Sequence, residues 1–171
     1  MANSTYYAIL EAVHTKIVQL SLTAIPAANI QLAKTEHFRE TVEPGLPGIH
    51  VMPAPVETIL VNEGTTCRDD IGYPVTVLMM DSDRQDTGSG LPADAIPGTQ
   101  DQEHRFDEKL HWRQKIRKAF INQRLTLATG YPNVLRCTIE PLEVVRRNDW
   151  LEANIWIGGL VVRCWTREDR G

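Results

Sequence analysis

Apolar residues recur at spacings of three and four along the first twenty positions, where Tyr6, Leu10, Val13, Ile17 and Leu20 fall on one stripe. That period predicts a helix from about Ser4 to Leu20, capped by Ser4 or Asn3, whose stripe docks on something later in the chain. The pattern stops at Pro26. From there to Pro97 the chain carries eight of its ten prolines, which excludes long helices across this stretch. Short strands are predicted instead at Ile30 to Lys34, Gly48 to Pro53 and Glu57 to Asn62, each bounded by turn residues. Tyr73 to Asp81 gives the strongest strand signal. Val75, Val77 and Met79 alternate with Thr76, Leu78 and Met80, and two largely apolar faces predict a central strand. Pro74 then stands at the strand's beginning, where a missing N–H is tolerated, and Arg68, Asp69 and Asp70 before it read as a polar turn pivoting on Gly72.

Ser82 to Glu103 has no apolar period and is rich in small polar residues, Gly and Pro, so it reads as a flexible loop. A second helix follows over about His104 to Leu125, with Phe106, Leu110, Trp112, Ile116, Phe120, Ile121 and Leu125 covering a broad arc and Gly130 and Pro132 blocking continuation. Strands are predicted at Val134 to Glu140, Leu142 to Arg146 and Asp149 to Glu168. In the last, Gly158 and Gly159 mark either a bulge or bend within one strand or a hairpin turn between two. The order predicts an α+β fold, one domain over residues 1–171, with two helices on one face of a mainly antiparallel sheet.

The 171 residues carry a net charge of only −4, which excludes a uniformly basic nucleic-acid coat. The placement of the charges says more than their total. The 82–103 loop holds Asp83, Asp86, Asp94, Asp101 and Glu103 against Arg84 alone, a net of −4, and the helix after it has seven bases against two acids, a net of +5. Helical spacing puts Arg113, Arg117 and Arg124 into the apolar arc, where unpaired burial would cost several kcal/mol. These arginines are therefore expected to meet carboxylates or another subunit, and Lys109 and Trp112 to join them in a subunit interface. The loop acids are expected to line a channel or join an interface.

No chemical signature accompanies this pattern. Asp81 and Asp83 at a strand end could hold Mg²⁺, but two acids are weak evidence, and the five histidines, at 14, 37, 50, 104 and 111, show no metal-ligand spacing. Cys137 and Cys164 sit in apolar strand contexts, where a thiol is ordinarily inert core filling. With Cys67 they make an odd number, so reduced thiols of an intracellular protein are expected. No nucleophile elbow or phosphate-binding loop occurs, and no run is apolar enough to span a membrane. Trp156 and Trp165, within the apolar closing run, read as packing residues rather than base-stacking platforms. The expectation is a soluble protein with no catalytic residue, metal or cofactor.

The chain resembles the tail terminators and related neck or tail-completion proteins of long-tailed bacteriophages. The resemblance rests on LPGIHVMP at 46–53, GYPVTVLMMDSD at 72–83, LHWRQKIRKAF at 110–120 and the block from Ile139 to Asp169. It implies a small α+β subunit of the virion, assembled in the host cytoplasm as a homo-oligomeric, six-fold ring. Such a ring stops the tail tube protein from polymerising, docks the head-tail connector proteins and leaves a channel that DNA traverses without specific binding. A neighbouring connector or stopper, a small metal-dependent phage enzyme and a nucleic-acid-binding accessory protein remain the alternatives.

Overall fold

The computed structural model describes residues 4–32, 46–60, 68–82, 100–142 and 155–169. Two helices, α1 (Thr5–Gln19) and α2 (Gln100–Phe120), accompany six strands: β1 (Ile30–Leu32), β2 (Gly48–Pro53), β3 (Thr58–Leu60), β4 (Arg68–Ser82), β5 (Val134–Leu142) and β6 (Ile155–Asp169). The strands form one mixed sheet in the order β1-β2-β4-β6-β5, with β3 continuing beyond β2 along the same side of β4. Only β1 and β2 run parallel. This is the predicted α+β, single-domain arrangement.

Both helices pack on one face of the sheet. Ile9, Val13 and Ile17 of α1 and Trp112, Ile116 and Phe120 of α2 meet Ile49, Val51, Val75, Val77, Met79, Leu160 and Val162 in one core. Each such side chain contributes on the order of 1.5–3 kcal/mol of hydrophobic stabilisation. Ser4 caps α1, its hydroxyl accepting from the Tyr7 amide. The α1 stripe centres on Ile9, Val13 and Ile17, with Tyr6, Leu10 and Leu20 on its half-buried flanks.

Several features differ from the sequence reading, among them β5, which runs through Pro141 to Leu142 where the sequence predicts one strand ending at Glu140 and another beginning at Leu142. Arg68, Asp69 and Asp70 are not a turn: they extend β4, because Arg167 and Asp169 stand across from them in β6 and turn their charges into cross-strand ion pairs, Asp70–Arg167 at 2.7 Å and Arg68–Asp169 at 2.6 Å. Pro74 consequently lies inside a fifteen-residue strand. It is tolerated because its backbone faces the interval between β2 and β3: its carbonyl accepts from the Ala54 amide at 3.1 Å and from the Tyr6 hydroxyl, and no ladder bond is required there.

Another correction concerns Gly158 and Gly159, which interrupt nothing. β6 pairs with β4 continuously from Ile155 to Asp169. Gly158 serves side-chain packing: a Cβ there would lie 2.5 Å from the Trp156 ring, which folds over the glycine on the core face. The sheet's irregularity falls in β5, between Val134 and Arg136, where exposed Leu135 is the extra residue and keeps both Val134 and Cys137 turned inward.

α2 begins at Gln100, so the backbone of Asp101 and Glu103 belongs to the helix and not to the loop before it. Ser82 belongs to β4. The helix also ends early, at Phe120. Asn122 takes a left-handed conformation (φ 56°) that an asparagine tolerates and a helix does not. Leu125 then bridges to Val134, and Arg124 lies beyond the helix altogether. The positions of Asp83, Asp86 and Asp94, of Cys67 and of the strand expected at Leu142 to Arg146 past Leu142 lie outside the described residues.

Candidate functional site

The helix expected to carry an interface divides its residues between two roles. Lys109 and Trp112 point inward. Trp112 is 1% exposed and its indole N–H donates to the Thr23 carbonyl at 2.8 Å. Lys109 Nζ lies 3.4 Å from Asp81 Oδ2 and 5.4 Å from the centre of the Trp156 ring. The Lys109 and Trp112 side chains assigned to a subunit contact are thus enclosed within the subunit, and Asp81, weighed above as a metal ligand, is occupied by a lysine. Among the described residues no group of three acidic, His or Cys side chains is arranged to hold a metal ion.

The outer side of α2 is different. Arg113 is half-buried and Arg117 and Arg124 are exposed. Among the described residues none of the three has an ion-pair partner, so the carboxylates expected for them are not supplied within the described subunit. Arg113 and Arg117 border a groove of about 670 Å³ between α2 and the edge strand β5, walled by Leu110, Ile121, Ile139 and Pro141. Leu110 and Ile121 are exposed, as is Leu135 at the start of β5. Asp107, His111 and Gln114 complete the lining, so the groove is of mixed character, with apolar walls and two guanidinium groups against one carboxylate.

β5 is the free edge beside that groove, and its backbone is only partly used. Leu125 pairs with Val134, and the Asn122 amide donates to the Cys137 carbonyl at 3.0 Å, so the segment after α2 covers the strand's first half. By strand alternation Ile139 and Pro141 face outward next. Pro141 has no N–H to offer, which blunts the edge against indiscriminate strand pairing.

A second group of exposed apolar residues lies along the opposite edge, on both faces of the strand. Val56, Ile59 and Leu60, in and beside β3, are 66%, 58% and 45% exposed, with exposed Glu57 among them. No periodicity singled these residues out. Their isolation on a three-residue edge strand becomes visible only once β3 is placed outside the β1-β2 pair.

One side chain on the helix-free face reaches toward both edges. Arg163 of β6 makes a two-pronged pair with Glu140 of β5, Nε to Oε1 at 2.7 Å and Nη2 to Oε2 at 3.1 Å, while Nη1 donates to Thr58 Oγ1 of β3 at 2.6 Å. The guanidinium holds the Glu140 carboxyl below the usual range. Beside it, Trp165 lies against Gly72 under the Arg136 guanidinium, 5.5 Å from its ring centre, and its indole N–H donates to Thr138 at 3.3 Å. Both tryptophans of β6 are therefore engaged in packing within the subunit.

No protein-family model and no curated protein sequence matches the chain.

Proposed function

We propose that this protein is a structural subunit of a long-tailed bacteriophage particle, a tail terminator or adjacent neck protein. In this reading it forms a homo-oligomeric ring, six-fold in the family it resembles, at the head-proximal end of the tail. The ring ends growth of the tail tube, presents a docking surface to connector proteins and leaves a channel for DNA. The acids Asp83, Asp86 and Asp94 serve either to pair with a neighbour's basic helix or to keep the channel negative and non-adhesive to DNA. The role needs no cofactor and no reaction.

The observation that carries this reading is the pair of unlike patches on opposite edges of one sheet. A head-to-tail ring requires two different, mutually complementary surfaces on every subunit, whereas an isologous dimer requires one that fits itself. Arg113 and Arg117 outnumber Asp107 at the groove, while at the other edge Glu57 is exposed beside Val56 and Arg163 is already paired with Glu140, so the two surfaces lean to opposite charge, which favours the pairing of unlike edges.

Two variants test the arrangement. Ile59→Asp damages the β3 patch and Arg117→Glu damages the groove, so each alone is expected to stay monomeric. Mixed in equal amounts they retain one intact patch of each kind and are expected to form a one-to-one dimer and nothing larger. A mixture that stays monomeric, or either variant closing into the wild-type oligomer, would contradict head-to-tail assembly through these edges.

A further inference from the structure

Cys137 and Cys164 read from the sequence as inert core filling, but the fold sets them directly opposite one another in the β5–β6 register. Both are buried, and their Sγ atoms are 3.7 Å apart. The ladder phase at this position follows from backbone bonds. The Cys137 carbonyl accepts the Asn122 amide from outside the sheet. In an antiparallel strand the N–H and C=O of one residue point the same way, so Cys137 turns its backbone away from β6 and the two cysteines form a non-hydrogen-bonded pair. The rest of the sheet agrees with this phase. Carried across β6 to β4, it turns the backbone of Pro74 away from β6, as its bond with Ala54 requires.

A non-hydrogen-bonded pair holds its Cα atoms about 4.5 Å apart, with the side chains leaving on the same face. A disulfide spans Cα separations of roughly 4.4–6.8 Å. The strands therefore already stand where the bond needs them, and only side-chain rotation is required to bring the sulfurs together.

We propose that Cys137 and Cys164 are a latent cross-strand disulfide, closed when the protein meets a peroxide. The Cys137 thiolate attacks one peroxide oxygen, the O–O bond breaks, and the departing oxygen leaves as water with the thiol's proton, giving a sulfenic acid. The Cys164 sulfur then attacks the sulfenic sulfur. The S–S bond forms, the S–O bond breaks, and a second water leaves with the Cys164 proton. Two electrons pass from the thiols to the peroxide.

Cys137 is the attacking sulfur because its strand is covered on the outer side at this point by a short irregular segment, through the Asn122 amide, whereas Cys164 lies in β6 between two full strands, so Cys137 opens at lower cost to admit a small oxidant. Its thiol is held below the ordinary value by the hydrogen bond it shares with Cys164 and by the charge of Lys16. The same hydrogen bond and burial raise Cys164, which suits it to the resolving step. The proposal is independent of the assembly reading. Closure would staple the groove-bearing strand β5 to β6.

The test uses the full chain, purified reduced, freed of reductant and exposed to hydrogen peroxide. The expected product is lighter by two hydrogens, about 2 Da, and its non-reducing peptide map contains one linked species joining Cys137 to Cys164. Cys67→Ser is expected to give the same product, and it keeps the test open should Cys137→Ser fail to fold. Free thiols at 137 and 164 after prolonged exposure, stepwise oxygen addition at either one, or a link that uses Cys67 would each overturn the proposal.

Discussion

Lys109 of α2 and Asp81 near the end of β4 form an ion pair at 3.4 Å from which water is almost wholly excluded, with side-chain exposures of 5% and 12%. The Trp156 ring lies beside the ammonium group. The pair fixes where the second helix sits on the sheet. Removing the lysine leaves the Asp81 carboxylate buried without this partner, which costs about 3–5 kcal/mol. Lys109→Ala is therefore expected to lower unfolding stability by about that amount, and Lys109→Met combined with Asp81→Leu to recover most of it. Chemical denaturation of the three proteins measures both effects.

Trp156 and Gly158 are coupled in the same region. A Cβ on residue 158 would stand 2.5 Å from the indole, so Gly158→Ala must push the ring out of its place under Lys109. Overpacking of this kind costs about 1–3 kcal/mol. Shortening the ring removes the clash, so Gly158→Ala is expected to be less damaging in a Trp156→Leu background than in the natural chain. A double-mutant cycle on denaturation midpoints reads the coupling.

Much of this fold is visible in the pattern of apolar residues, and the parts that are not share a physical cause. The two apolar faces of Tyr73 to Asp81 announce a central strand because burial on both sides leaves a local trace. Arg68 to Asp70 leave none: their strand character depends on Arg167 and Asp169, about a hundred positions away, and by themselves they look like a turn. Lys109 reads as a subunit-interface residue for the same reason, since its enclosure depends on Asp81 and Trp156 from two other strands. Asp101 and Glu103 resemble the loop before them by composition, although acids also suit the start of a helix. Of the candidate interface, Arg113 and Arg117 are legible from helical spacing, whereas the β3 patch is a product of sheet order.

His50, on β2, should make stability depend on pH near neutrality. Burial pushes its imidazole below the ordinary value of 6.5. The unfolded chain then takes up a proton at a pH where the folded protein does not, so acid favours unfolding. The contribution is complete above pH 6.5 and falls away as the pH drops below that value toward the folded pKa. Urea midpoints measured from pH 7.5 to 5.5 are expected to decline, and His50→Gln, which does not titrate, is expected to decline less.

Closed, head-to-tail assembly through unlike patches on opposite edges, as proposed, fixes the native mass of the wild-type protein in solution. One discrete species at a fixed multiple of the 19.3 kDa chain, six by the family resemblance, with no open-ended polymers above it, is the predicted result. A protein that remains monomeric up to millimolar concentration, or that stops at a dimer, would contradict the account.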